Sequence, residues 1–422
     1  MTLNFPDAEP SITLDFLKSK KLDPRITFSR ASDANTTPPT TGEGSGNVNG
    51  EVYTFPENVP RLTSQGLLIE ESRTNLIENS LVTSANGWQD LGTLTANNAL
   101  APDGTMTAST CLPASGAQQT ITSPLRIVPA AGIYTFSAFV QPTSVFTHFK
   151  LGVVNYADTG NQSVIFDTTK TGIDGDGITP NGSNNSNYLG ATMDKSYAHG
   201  WVRLSLTVNF VGPDLNGVMQ LSNANPSVGD GVNSFAVWHG QLEEGNFPTS
   251  LIPTSGAAAT RAADVANMLN IDWFNASETT LLIENNSPFW NTNNAFFSVV
   301  NSSGVTANRV SFRGGNYLAS STNGAMFGSA IVPPTPPGKS YYNTHIKYAF
   351  VYDSTDAVVA SSYGLGTPRS NTTGSAPVGI DQAKISQLET GVITTAYVTR
   401  VSYYPTRLPD DALISLTVIK DE

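Results

Sequence analysis

Along much of the chain, apolar residues alternate with polar or small ones, the period-2 pattern of strands that bury one face. Ser11-Ile12-Thr13-Leu14-Asp15-Phe16 and Ile26-Thr27-Phe28-Ser29 follow it, and Gly66-Leu67-Leu68-Ile69-Glu70 reads as a further short strand. Residues 18–24 form a polar connector. Residues 34–50 are dominated by Thr, Pro, Gly, Ser and Asn, which predicts an exposed loop. Stronger strands are predicted at 133–140, 149–154, 163–166, 201–210 and 235–242, with turns such as Asp103-Gly104 and Asp158-Thr159-Gly160 between them. A second series covers 279–284, 295–300, 309–312, 347–352 and 397–403. Leu408 to Leu416 predicts one helical turn with an Asp cap. Pro333 to Gly338 reads as a stiff polyproline-like loop.

Short strands at close intervals, with no long helical run, predict an all-β protein of two antiparallel sandwiches. The first, at 75–252, has the pattern of a jelly roll. A linker at 253–264 leads to the second at 265–422. Phe247-Pro248 and Ile252-Pro253 hold the exit from the first sandwich extended, because a residue before proline avoids the helical region. Residues 1–74 form an N-terminal strand-and-loop region. No repeat of 20 to 50 residues and no heptad stripe runs through the chain, so neither a solenoid nor a coiled-coil stalk is encoded.

Composition sharpens this picture. The chain has 422 residues, 39% hydrophobic and only 13% charged, against roughly 25% charged in ordinary soluble domains. The net charge of −12 argues against a nucleic-acid partner. No apolar run approaches the ~20 residues of a membrane span. The single cysteine, Cys111, excludes an internal disulfide and a cysteine zinc site, and reads as a buried apolar residue. The start, MTLNFPDAEP, lacks the basic and apolar regions of a secretory signal.

Catalytic constellations are not evident. There is no G-x-S-x-G elbow. His148, His199, His239 and His345 lack metal-ligand spacing. Glycoside hydrolysis needs two carboxyls roughly 5–9.5 Å apart. Glu278 and Glu284 are six positions apart with no acid between them, and Glu243-Glu244 read as solvated residues that break the strand before them. Calcium would find hard oxygen ligands at Asp174-Gly175-Asp176-Gly177, near Asn181, Asn184 and Asn185, and in a second loop at Asp230-Gly231-Val232-Asn233. Asp-Gly turns without metal are the commoner case.

Several blocks occur in an order that resembles a family of bacteriophage structural proteins. They are Asp23 to Ser32 (DPRITFSRAS), Asn58-Val59-Pro60-Arg61, Gly66 to Asn75 (GLLIEESRTN), Gln241 to Gly245 (QLEEG), Phe247 to Ser250 (FPTS), Ile252-Pro253-Thr254 and Thr260 to Asp264 (TRAAD). Val401 to Asp410, with its YYPTRLPD run, resembles the closing strand of laminin-G-like domains. The resemblance implies a carbohydrate-binding-module-like jelly roll followed by a concanavalin A/laminin-G-like sandwich. In the latter fold the chain ends lie close together, so the strand Ile12 to Phe16 is expected to pair with the second sandwich. The resemblance further implies a virion component exposed on tail or capsid. It would be made in the host cytoplasm, contact other virion proteins, assemble as a homotrimer in the manner of fibres, and attach to host-surface polysaccharide without cutting it. A purely structural role is the alternative, and a glycan-depolymerising spike the third reading.

Sugars present apolar C–H faces and hydroxyl edges, so an aromatic platform beside amides or carboxylates is the feature to seek. Candidates are Trp88, Tyr156, Tyr188 and Tyr197 in the first sandwich, and Trp290, Tyr317 and Tyr363 in the second. Trp201 and Trp238 sit in alternating strands and are expected in the core.

Overall fold

The computed structural model describes residues 9–19, 21–37, 50–90, 92–124, 126–128, 130–155, 160–172, 176–182, 187–211, 214–287, 295–302, 308–313, 317–321, 324–327, 344–365, 369–370, 375–387 and 392–419. The protein is all-β, built as two antiparallel sandwiches.

In the jelly roll, one sheet carries Tyr188–Asp194, Val202–Phe210, Gly132–Gln141, Phe235–Glu244, Ala108–Leu112 and Thr93–Ala99, in that spatial order. The facing sheet is centred on Gly160–Asp167, His148–Asn155 and Asp214–Asn223. Alternation does the sorting. Phe136, Leu204, Leu206 and Val237 point inward from the first sheet to meet Phe149, Leu151, Val153 and Leu221 from the second. The residues between them point outward; along Val202–Phe210 these are Arg203, Ser205 and Thr207, while Phe139, Ala236 and Trp238 form a separate apolar cluster.

The other sandwich draws on both ends of the chain. Its larger sheet places Thr279–Ser287 beside Ala396–Tyr404. The free edge of Ala396–Tyr404 is then shared by two early strands. Ile12–Asp15 pairs with Arg400 to Tyr403, and Gly66–Ile69 pairs with Ala396 to Val398. Arg61–Thr63 continues the sheet beyond Gly66–Ile69. In the facing sheet, Ile26–Ser29 pairs with Val265–Met268. Four early strands therefore complete this sandwich, where the sequence pattern offered only the first. The physical reason is edge closure: a strand apolar on its inner face cannot leave a long edge unpaired. The jelly roll is thus an insertion. The chain begins the outer sandwich, leaves to build the jelly roll, and returns. Exit and re-entry lie side by side, because Arg73–Asn75 pairs with Ala259–Arg261. Ala259–Arg261 lies in the expected linker, so the return path is itself paired.

This arrangement predicts how truncation behaves. Residues 265–419 without residues 9–69 are expected to show no cooperative thermal transition in circular dichroism, because the early strands are missing from both sheets. A sharp transition from that fragment would overturn the insertion topology.

Several local expectations are corrected. Ala34–Thr36, read as loop, is a buried strand paired with Tyr53–Phe55; residues 38–49 lie outside the described part, as does Pro333 to Gly338. Phe235–Glu244 runs through both glutamates instead of ending before them, and Tyr134 pairs with Glu244. Adjacent strand residues face opposite ways, so Glu244 is exposed while Glu243 is 0% exposed, not solvated. The chain turns at Gly245 (φ 133°), where an added Cβ would lie 1.5 Å from the Arg73 guanidinium; only glycine combines that conformation with that approach. The closing helix is Asp410–Thr417, preceded by Pro409 as its cap. Asp410 and Asp411 sit in its first turn, where the helix dipole favours them. Its Leu413 and Leu416 cover Ala349, Val351, Val358 and Ala360 on the outer sheet. Among the described residues no helix is long and apolar enough to cross a membrane.

Candidate functional site

The outward face of the jelly-roll sheet is unusual in being polar and buried together. Arg203, Ser205 and Thr207 alternate with core residues along Val202–Phe210. Register puts Asp194 beside Arg203 and Arg203 beside Phe139; the next row is Thr192, Ser205 and Ser137. The strap that follows Glu244 crosses this face. Its Thr249 donates its backbone N–H (2.8 Å) and hydroxyl (2.7 Å) to the Glu243 carboxylate and accepts from Arg203 Nη1 (2.6 Å). Gln241 Oε1 accepts from the N–H of Ile252 (2.7 Å). The buried Glu243 is therefore a clamp for the strap.

Beside the strap lies a buried charge network that joins the two sandwiches. Arg61 donates to Glu70 Oε2 (2.6 Å), to Ser250 Oγ (2.8 Å) and to Asp264 Oδ2. Arg30 bonds Asp264 Oδ1 at 3.1 Å, and Arg261 approaches Glu70 at 3.3 Å. Ser250 returns its N–H (2.8 Å) and hydroxyl (2.6 Å) to Glu70. All five charged side chains are buried. Burial alone would raise the Glu70 pKa, but Arg261, Arg61 and the Ser250 donors outweigh it and hold the carboxyl down to about 2. Burial pulls Arg61 down, yet Asp264 and Glu70 leave it raised. The charged members fall in the family-like blocks: Arg30, Arg61, Glu70, Glu243, Arg261 and Asp264. The resemblance therefore resides in the joint between the sandwiches.

Where the two sandwiches face one another across the strap, a cavity of about 120 Å³ opens. Asp194, Tyr197 and Arg203 line it from the jelly roll, and Gln65, Thr395 and Tyr397 from the outer sandwich. Thr249 and Ser250 of the strap line it as well. Tyr197 and Tyr397 are half-buried. The Tyr197 ring meets Phe139 edge-on at 4.9 Å. Burial, reinforced by Asp194, pushes its phenol up to about 12, against the opposing pull of Arg203. Burial, with Glu70 and Tyr197 adding to it, also raises Tyr397. Both phenols are neutral hydrogen-bonding groups at physiological pH.

The other candidates fall elsewhere. Trp88 is 2% exposed in the jelly-roll core, its indole N–H bonded to the Asn79 carbonyl at 2.9 Å. Its ring fills the space above Gly240, so it cannot offer a platform. Tyr188 packs against the same core and Tyr363 against the other one. Trp201 and Trp238 are core residues, as expected. Tyr156, Trp290, Asp174 and the side chain of Tyr317 lie outside the described part. Asp176 accepts both the N–H (3.1 Å) and the hydroxyl (3.0 Å) of Thr171, and Asp230 accepts from Val232 and Asn233. Both aspartates are thus engaged by residues close by in the chain. Among the described residues no three His, Cys, Asp or Glu side chains group as metal ligands.

Groups with nucleophilic or acid–base potential are engaged in structure. Ser80 Oγ lies 2.7 Å from His239 Nδ1 and accepts the Thr254 N–H, but the serine is fully buried. Burial lowers that imidazole to about 3, so it stays neutral. Glu284 is shared by Lys347 and Arg400, and Glu278 caps the Arg407 N–H. Cys111 is buried and its thiol pKa raised by burial.

Sequence reasoning found Tyr197 but missed Arg203, Asp194 and Tyr397. The available signal was a lone arginine within the alternating run Trp201-Val202-Arg203-Leu204-Ser205-Leu206.

No family model matches the chain, and no curated protein matches it. Solved structures similar to parts of it include the NanB sialidase from Streptococcus pneumoniae, at 16% identity over 34% of this chain and 24% of that one, with a TM-score of 0.28. The CBM40 module of a Ruminococcus gnavus IT-sialidase, bound to alpha2,6 sialyllactose, shares 15% identity over 33% of this chain and 83% of that one, with a TM-score of 0.26. Domains LG4-5 of the mouse laminin alpha1 chain share 8% identity over 79% and 88%, with a TM-score of 0.22. The chain spans about a quarter of the length of that sialidase. At these TM-scores the matches carry no argument about this chain.

Proposed function

We propose that the cleft between the sandwiches binds carbohydrate without cutting it, and that the chain serves adhesion to host-surface glycan as a component of a bacteriophage virion. The observation that carries the binding reading is the pairing in one cavity of two half-buried tyrosines, one from each sandwich, with Arg203, Asp194, Gln65 and strap hydroxyls. Aromatic faces suit the C–H side of a sugar, and the polar groups suit its hydroxyl rim. At about 120 Å³ the cavity is below the roughly 300–1,000 Å³ of most small-molecule pockets, so it takes one terminal or branch sugar and not a long chain. The virion setting rests on the ordered sequence blocks.

Binding to host cells, competed by their extracted polysaccharide, tests the reading. Tyr197→Ala and Tyr397→Ala are each expected to weaken it about tenfold or more, roughly the loss of one good contact, with thermal unfolding unchanged. Full binding by both variants would remove the cleft from the reading. Release of reducing ends would point to a depolymerase.

One observation favours a second reading, a virion protein without a ligand. Of the charged residues in the family-like blocks, Arg30, Arg61, Arg261 and Asp264 serve the joint and do not line the cleft, which Glu70 reaches from the same network. That reading expects co-assembly with other virion proteins and no cell binding by the folded protein.

A further inference from the structure

The described part of the protein buries four arginines, Arg30, Arg61, Arg203 and Arg261. Three of them are ion-paired to Glu70 or Asp264. Arg203 is not. It is 5% exposed, and its guanidinium bonds neutral oxygens, the Thr249 carbonyl (2.6 Å from Nη1), Ser137 Oγ (2.9 Å from Nη2) and the Tyr197 phenol. Its Nε is sealed from solvent without a hydrogen-bond partner, and its guanidinium lies 5.3 Å from the centre of the Phe139 ring. A buried cation without a direct ion pair is costly, and native proteins seldom leave one so. Arg203 is also the only one of the four that lines the inter-sandwich cavity.

We propose that the ligand of this cleft carries a carboxylate, as a uronic or other acidic sugar does, and that Arg203 selects for it. This rests on the carbohydrate reading above and narrows it. The other charges of the cleft fit the assignment. Glu70 is neutralised by Arg61 and Arg261, so it offers an entering anion little net repulsion. Asp194 is the opposing charge: it stands across the strands from Arg203, and its Oδ1 accepts the Ser196 N–H at 2.9 Å. It and the buried Glu243, which shares Thr249 with Arg203, temper the attraction, and Arg203 is the one cationic side chain among the described residues that line the cavity. The chain's overall charge of −12 acts weakly here, because exposed charges more than about 8 Å away are screened at physiological ionic strength.

The test uses matched polysaccharides: hyaluronate, alginate and polygalacturonate, each with its carboxyl-reduced form, in which CH2OH replaces the carboxylate. Affinity is measured for the full chain and for Arg203→Gln, Arg203→Lys and Asp194→Asn, with thermal unfolding recorded for each. The expected result is binding to at least one acidic polymer, about tenfold or more tighter than to its reduced form. Arg203→Gln erases that ratio, Arg203→Lys keeps most of it, and Asp194→Asn widens it. Should Arg203→Gln fail to fold, the Asp194→Asn ratio decides, since it must rise. Equal binding of acidic and reduced forms would overturn the proposal and leave the carbohydrate reading standing. Binding to neutral polysaccharide alone would do the same. Binding to no polysaccharide of any kind would overturn both.

Discussion

Replacing Arg61 by alanine is expected to destabilise the protein by about 3–5 kcal/mol, the loss found when one partner of a buried ion pair is removed. Arg61 bridges Glu70 and Asp264 and also bonds Ser250, so its removal takes a partner from two buried carboxylates at once and leaves Glu70 with Arg261 alone and Asp264 with Arg30 alone. The double variant Arg61→Ala/Glu70→Ala should cost clearly less than the two single losses added together, because each single change already removes the interaction the two side chains share. Additive losses in urea titrations would break the network argument. The same network sets an acid limit. The Glu70 pKa is held at about 2, below the ordinary 4.5. A depressed folded pKa contributes stability in full above the unfolded value, and that contribution fades as pH falls from about 4.5 toward 2. The gap corresponds to roughly 3 kcal/mol. Glu70→Gln should therefore lower stability at pH 7 and flatten its decline between those two values. An unchanged decline would assign acid sensitivity to other carboxylates.

The second large effect is expected at Trp88. Its indole is enclosed by the jelly-roll core and bonded to Asn79, so Trp88→Ala should cost about 3–5 kcal/mol through the cavity it leaves. Sugar binding would then fall only as the folded fraction falls. Thermal unfolding followed alongside glycan binding separates the two. Lost binding with an unchanged melting temperature would mean that Trp88 touches ligand after all.

The strands were legible because alternation is a local property. Phe235 to Leu242 and Tyr397 to Tyr403 declare themselves without reference to the rest of the chain. Which strands share a sheet was not legible to the same degree. Nothing local in Ile26–Ser29 or Gly66–Ile69 distinguishes a partner in a separate N-terminal unit from one more than 200 residues away. Glu243 shows the limit at the level of a single side chain. Two adjacent glutamates before a glycine look like a solvated turn, and only the strap returning over them reveals that one is buried and satisfied. The site failed for a related reason. Trp88 and Tyr197 have equal claim as aromatic platforms in sequence, and tertiary packing alone separates the core residue from the cleft residue. Arg203 and Tyr397 meet across a boundary that exists only once both sandwiches stand.

The insertion topology also fixes an order of events during synthesis. Ile12 cannot find Tyr403 until nearly the whole chain has been made. At about 5–20 residues per second the earliest strands wait roughly 20–80 s for that partner, while the jelly roll is already complete and free to fold. From the time residue 252 has been made until Tyr403 follows, the ribosome displays a finished domain preceded by unpaired apolar strands. The window in which a chaperone is needed, or in which two nascent chains can exchange strands, is therefore written into the connectivity.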